Sequence, residues 1–429
     1  MNQMHNKAPI FVHSLFRSGS TYVFNQFRNS NSPYWCYQEP LHEKAIFAKS
    51  DFRILLESDD STAKLLRHPE LNRPYFWELF EVAPTCLKYI DEASPYKSFF
   101  REDEATIDYF TSLVEESKAR PVIQECRTSA RIDVLKRRMG GEHIYLWRNP
   151  WDQWWSYKVL DYFDTANQVI LNADDVPLTI DLLRKKIRFK TYQAENLNDE
   201  FFWYKRNKLS FDESYLAFYV LWLLSLIEAM QFADLLINMD TLSSNDSYTK
   251  KIELDLVSCG ISGIEFGNCN SPFFHFHRSE IERFRKIEEV AHSLFIDSGV
   301  DAVILQRALD EKERHSISFE EENCNSQSWI NESFKARKIA ERYHEECLEI
   351  KAIGDGFINH ISSELNHEIT KLREEAIAKD LLIENYKNTL KEESLIRNEY
   401  KDKYELVVQS RLWKLTEPIR QITTFLRGK

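Results

Sequence analysis

The apolar and polar positions of the chain alternate between two periods. Mostly apolar runs of strand length recur near residues 8–15, 34–38, 121–126, 143–147 and 234–239. Stretches with helical spacing lie between and after them. The first strand is Ala8-Pro9-Ile10-Phe11-Val12-His13-Ser14-Leu15, and Val23-Phe24-Asn25-Gln26-Phe27-Arg28 reads as a helix. Residues 41–118 read as mostly helical, broken near Pro69, Pro74, Pro84 and Pro95. Phe76, Trp77, Phe80 and Tyr96 in that stretch are expected in the core. The most apolar run, Tyr215 to Ile227, predicts a long core helix at 213–233, with an apolar run shorter than the about 20 residues of a membrane span. Residues 161–212 form a polar insertion with cations at Arg184, Lys185, Lys186, Arg188 and Lys190, then at Lys205, Arg206 and Lys208. Composition shifts near Phe319 to Ser326, which divides the chain into residues 1–318 and 319–429. Beyond that linker Gly and Pro nearly vanish, so the segment is helical. Leu365, Ile369, Leu372 and Ala376 follow a four-three spacing that drifts through Ile383, Tyr386 and Leu390. That pattern predicts a short coiled coil or a long docked helix.

Candidate chemistry gathers at two strand ends. Arg17-Ser18-Gly19-Ser20-Thr21-Tyr22 joins the first strand to the first helix. Gly19 allows a tight turn and a close approach of the backbone. Uncapped amides and the helix dipole favour an anion there. Ser20 and Thr21 add hydroxyls, and Arg17 adds a cationic fork suited to phosphate or sulfate. The same hexapeptide also suits an ordinary helix start with a Ser cap. No Gly-Lys-Ser/Thr follows, so this is not a nucleotide-triphosphatase loop. The second strand end is Arg148-Asn149-Pro150-Trp151-Asp152. Asn149 is expected to cap a helix, with Pro150 at its first position and Asp152 where a capping box places an acid. Ser156 lies on that helix, eight positions after Arg148 (156 − 148 = 8). Both reach one anion above a sheet edge, where open α/β sheets bind ligands. Trp147, Trp151, Trp154 and Trp155 crowd this motif and are expected to pack against the sheet.

Composition narrows the classes. The chain has 429 residues, of which 43% are apolar, enough for two domains with a substantial core. A formal net charge of −12 argues against a general nucleic-acid binder, while clustered Arg can still hold an anion. Seven cysteines without a Cys-x-x-Cys pair fit a reducing compartment and supply no metal framework. The histidines form no spaced zinc motif, so no metal site is expected.

Taken together and in order, these motifs resemble the sulfotransferases that use 3′-phosphoadenosine 5′-phosphosulfate (PAPS). In that family a strand–loop–helix cradles the 5′-phosphosulfate, here Arg17 to Tyr22. An Arg and a Ser hold the 3′-phosphate, here Arg148 and Ser156. The Arg-Ser-Gly-Ser-Thr wording is similar to the carbohydrate branch. Tyr37-Gln38-Glu39-Pro40-Leu41-His42-Glu43 looks like that branch's Glu-Pro segment, whose Glu often serves as base. Asp234 to Leu242 resembles the late strand ending in (Glu/Asp)-x-Leu. Ser271-Pro272-Phe273-Phe274-His275-Phe276-His277-Arg278 stands where a late loop often closes over the adenine. The resemblance implies a three-layer α/β fold with a P-loop-like parallel sheet flanked by helices and a C-terminal helical extension. It implies PAPS as donor, no metal, and a carbohydrate or glycolipid acceptor. Arg127, after the third strand, is a candidate for lining the donor or acceptor site or for a surface ion pair. The insertion at 161–212 is either a solvated helix face or a cover for the acceptor.

The chemistry then expected is in-line sulfuryl transfer, with Arg17 at the leaving phosphate oxygen and Glu39 as base. His42, three residues on, is the rival base. The first strand begins near residue 8 and leaves no room for a signal peptide, which points to a cytoplasmic, bacterial enzyme of surface polysaccharide synthesis. Ser410 to Arg420 resembles a tail of bacterial polysaccharide glycosyltransferases. From Arg411 to Lys429 the charge is +4, five basic residues minus one acidic, which suits contact with an anionic membrane face. The C-terminal helix is a candidate for homo-oligomer formation. Two other classes remain: a kinase-like phosphoryl transferase, and a non-catalytic glycan-assembly partner.

Overall fold

In a computed structural model, residues 8–57, 66, 71–93, 95–274, 276, 278–315, 333–341 and 358–409 are described. The chain divides into two compact units, residues 1–319 and 320–429. The first is an α/β unit. Its strands are β1 (Ile10–Ser14), β2 (Tyr34–Gln38), β3 (Arg120–Glu125), β4 (Glu142–Trp147) and β5 (Leu235–Asn238). They form one parallel sheet in the order β2-β3-β1-β4-β5. All five residues of β1 are buried, as a central parallel strand covered on both faces requires.

Alternation along the strands divides the core between two faces. Ile10 and Val12 of β1 join Ile144, Leu146 and Ile237 under the helices Ser20–Arg28 and Asp246–Ser258. Phe11 turns the other way, onto His143 and onto Phe110 of the helix Glu104–Glu116. The helices Ile132–Met139 and Phe211–Phe232 also pack on β4. Ser210 and Glu213 form a capping box that starts the second of these. That helix is 22 residues long, close to the expected 213–233, and apolar enough by length and composition to cross a membrane; 72% of its apolar window is buried, as expected of a core helix.

The chain leaves β1 towards β2 on one side and leaves β4 towards β5 on the other. A crevice therefore opens between the carboxyl ends of β1 and β4. Both sequence motifs stand at its rim.

Three local expectations change. Pro84 lies inside the helix Trp77–Cys86 rather than ending a helix. The polar insertion, read as a solvated helix face, folds into the helices Tyr162–Leu171, Leu178–Lys186 and Leu197–Arg206, which bury Phe163, Ile170, Ile180 and Leu183 and also the polar Thr165, Asn167, Gln168 and Glu200. Asn149 caps the helix Pro150–Tyr157 as expected, but the Asp152 carboxylate turns to a distant loop.

In the second unit a helix at 333–341 precedes the helix Ile358–Gln409. Ser333 Oγ donates to Asp380 Oδ1 at 2.5 Å. Ile369, Ala376 and Ile383 are buried at seven-residue spacing, while Tyr386 and Leu390 are exposed. Among the described side chains, the apolar seam read from the sequence is thus covered as far as Ile383 and open beyond it. The candidate tail at 410–429 lies outside the described residues.

Candidate functional site

The first strand end is built by backbone geometry. Arg17 and Gly19 both take left-handed conformations, φ 62° and 84°, which turn the chain from β1 into the helix Ser20–Arg28. At Gly19 a Cβ would meet Met239 Cε at 3.1 Å, so glycine also permits close packing on the element after β5. Gly19 caps the helix without a side-chain hydrogen bond. Ser18 is buried and braces the loop: its Oγ donates to Leu15 O at 2.7 Å and accepts from Gln153 Nε2 at 2.9 Å. Tyr22 donates its hydroxyl to Gly267 O at 2.9 Å, in the segment that leads to the late loop. The loop's means of holding an anion are therefore Arg17, the first-turn amides, and the hydroxyls of Ser20 and Thr21. Arg17 Nε donates to Ser156 Oγ at 3.1 Å and its Nη2 to Leu66 O at 2.9 Å. Its guanidinium lies 5.7 Å from the Phe163 ring centroid.

The second strand end meets the first. Arg148 Nη1 lies 3.5 Å from Arg17 O. The buried Arg148 side chain pairs through Nε with Asp240 Oδ1 at 2.8 Å, and Asp240 Oδ2 accepts the Asn149 amide at 2.6 Å. Asp240 belongs to the (Asp)-x-Leu segment that the sequence singled out. Arg148 Nη2 donates to Pro272 O at 2.5 Å, and Asp152 Oδ1 accepts the Phe274 amide at 2.7 Å. The late loop is thus tied to this helix start. His275 and His277 lie outside the described residues, and Arg278 is exposed beside Glu282. Trp154 and Trp155 are buried packing residues, and Trp151 donates Nε1 to Glu288 at 2.7 Å.

A third group lies beyond β2 and β3. Glu39 takes φ 38°, so two of the four non-glycine residues with positive φ among the described residues are Arg17 and Glu39. Such conformations cost about 1–3 kcal/mol each and persist only where the surroundings impose them. Here the Glu39 amide donates to Gln124 O at 2.8 Å. Its carboxylate accepts Tyr75 OH at 2.7 Å on Oε1 and Arg127 Nη1 at 2.9 Å on Oε2. Arg127 also donates to Glu125 at 3.1 Å, to Glu43 at 3.4 Å and to Tyr162 OH at 3.0 Å. Glu43 in turn accepts Tyr162 OH at 2.8 Å and the hydroxyl of Tyr96. Glu125 accepts the amides of Leu41 and Cys126, both at 2.8 Å, and so ties the two strand ends together.

Burial works against the charge of Glu39, but Arg127, His42 and Tyr75 outweigh it and hold its carboxyl below the ordinary range. Glu43 follows the same balance, with Tyr162 in place of Tyr75. Burial pushes Glu125 up, with Arg127 opposing. Burial also lowers His42, against the pull of Glu43, so its ring is neutral. His42 Nδ1 lies 3.1 Å from the Lys44 amide, as the cap of the helix Glu43–Phe47, and 3.1 Å from Glu43 Oε2.

The structure therefore joins Arg17, Ser156 and Arg148 in one network and gathers Glu39, His42 and Arg127 in another. Phe16 links them: its ring lies under Arg127 at 5.1 Å and beside Tyr162 and Phe163. Sequence reasoning missed Tyr75, Tyr96, Tyr162 and Glu43. Only Glu43 carried a signal, as the second acid of the Glu39–Glu43 segment; the tyrosines arrive from remote helices and loops. Among the described residues no group of His, Cys, Asp and Glu has the arrangement of a metal site. No family model, curated protein or solved structure matches the chain.

Proposed function

We propose that the chain transfers a sulfuryl group from PAPS to a hydroxyl of a carbohydrate or glycolipid, on a P-loop-like variant of the parallel α/β sheet. One observation carries the reading: Arg17, Ser156 and Arg148 converge where β1 and β4 diverge, with a separate carboxylate, Glu39, at the end of β2. The strained turn at Arg17 and Gly19 and the uncapped helix start fit the phosphosulfate end of that donor. Bound PAPS supplies an activated sulfuryl group and a phosphate leaving group. Arg17 and the first-turn amides meet the negative charge that grows on the leaving oxygen. Glu39 takes the acceptor proton as the new sulfur–oxygen bond forms and the old one breaks. Glu39 is favoured over His42, because Arg127, Tyr75 and His42 hold its carboxyl in the charged form while burial acts against a charge on His42. Arg148 releases the Pro272 carbonyl when it turns to the 3′-phosphate, and keeps Asp240.

Calorimetric titration with 3′-phosphoadenosine 5′-phosphate tests the reading. Binding that weakens when the 3′-phosphate is removed supports it. A protein that binds neither this nucleotide nor PAPS overturns it.

A further inference from the structure

Arg127 lies too deep to meet a substrate. Its side chain is 0% exposed and sits between the faces of Phe16 and Tyr96, 5.1 and 5.3 Å from their centroids. It touches three carboxylates from two strand ends: Glu39 and Glu43 after β2, and Glu125 at the end of β3. Only a planar fork reaches all three from one position; a lysine ammonium is a single point charge. The two outer carboxylates are the ones near solvent, Glu39 at 12% and Glu43 at 10% side-chain exposure.

We infer that Arg127 is a positioning residue and no ligand for the acceptor: it balances the buried acids and aims the Glu39 carboxylate, whose open edge faces the acceptor hydroxyl. The catalytic part of this rests on the sulfuryl-transfer reading; the arrangement of charges does not. Without Arg127 three acids would share a buried space, and at least one would take up a proton. The other groups around Glu39 do not replace it. His42 takes up charge only against burial and more weakly than Arg127 holds Glu39 down, the hydroxyls of Tyr75 and Tyr162 carry no charge, the Cys126 thiol is pushed up by burial, and Glu125 is an opposing acid. The left-handed backbone of Glu39 adds to the need, because its side chain is placed by contacts rather than by local preference.

The test follows the Glu39 carboxyl by 13C NMR as pH is varied, in the full chain, with its resonance identified by loss in Glu39→Gln. Arg127→Lys is compared with the wild type. A second variant, Arg127→Met with Glu125→Gln, removes the cation together with one acid. The Glu39 midpoint is expected to rise by about one pH unit in Arg127→Lys, a tenfold gain in proton affinity, and further in the double variant. A midpoint that stays in place in natively folded variants overturns the inference. So does loss of folding in both, which would assign Arg127 to the fold alone. A wild type that binds no 3′-phosphoadenosine 5′-phosphate removes the sulfotransferase reading instead, and the titration still decides the role of Arg127.

Discussion

Two buried histidines behind the site make the stability of the first unit depend on pH. His143 Nε2 lies 3.2 Å from Gly140 O, which can only accept, so that nitrogen carries the proton. His143 Nδ1 then accepts from His13 Nε2 at 2.9 Å, and His13 Nδ1 accepts the Thr128 hydroxyl at 2.7 Å. The ring-to-ring bond needs one unprotonated nitrogen, so the two rings cannot both be charged in the folded protein. Burial lowers His143 to about 4, opposed by the Gly140 carbonyl and Asp234 and aided by Lys136. Burial pushes His13 well below its usual value, and His143 and Arg131 add to this. In the unfolded chain both titrate near 6.5. The stability they contribute is present above that value and is lost as pH falls towards about 4, because only the unfolded state binds the protons. For His143 alone the loss between about pH 7 and pH 5 is about 2 kcal/mol, and His13 adds to it. Glu39 and Glu43 act in the same direction only below the ordinary value of 4.5, while Glu125, raised, acts in the opposite one. Urea unfolding of the full chain at the two pH values, followed by circular dichroism, measures the difference. The His13→Gln/His143→Gln variant should lose the part of the pH slope that these two rings supply, while His42, His292 and His315, also lowered by burial, keep theirs. A wild-type free energy that changes by less than about 0.5 kcal/mol would refute the reasoning.

Further predictions concern the reaction. Glu39→Gln keeps shape and removes basicity, so the transfer rate should fall by about 10²–10⁴-fold with donor affinity nearly unchanged. If His42→Ala abolishes transfer and Glu39→Gln does not, the base is His42; stopped assays with radiolabelled PAPS decide. In the proposed reaction Arg17→Ala should lower both donor affinity and rate, since its charge would meet the phosphosulfate before and during transfer. Arg148→Ala and Ser156→Ala should weaken PAPS more than adenosine 5′-phosphosulfate in calorimetric titrations, and equal losses would remove the 3′-phosphate assignment. Ending the chain at about residue 330 should retain folding of the first unit and transfer to a small acceptor while abolishing self-association or membrane binding; an insoluble product would show that the second unit supports the first.

The strands and the two motif helices were legible because local forces specify them. Apolar runs such as Phe11-Val12 and Ile144-Tyr145-Leu146 must be buried on both faces, and Asn149-Pro150 starts a helix through its own side chain and fixed φ. The turn at Gly19 was equally local. What tertiary structure alone decided was the partnering of charges. Nothing near Arg127 in sequence indicates Glu39, Glu43 or Tyr162, which lie 88, 84 and 35 positions away. Asp152 looked like a capping acid, yet Phe274, 122 positions on, takes its oxygen. The polar insertion reads as solvent-facing from its charges, while Phe163 and Tyr162 turn inward to the site. Helix and strand periods report which face of an element is apolar. They do not report which buried ion meets which, because that pairing is set by sheet order and by the cost of leaving any buried charge unbalanced.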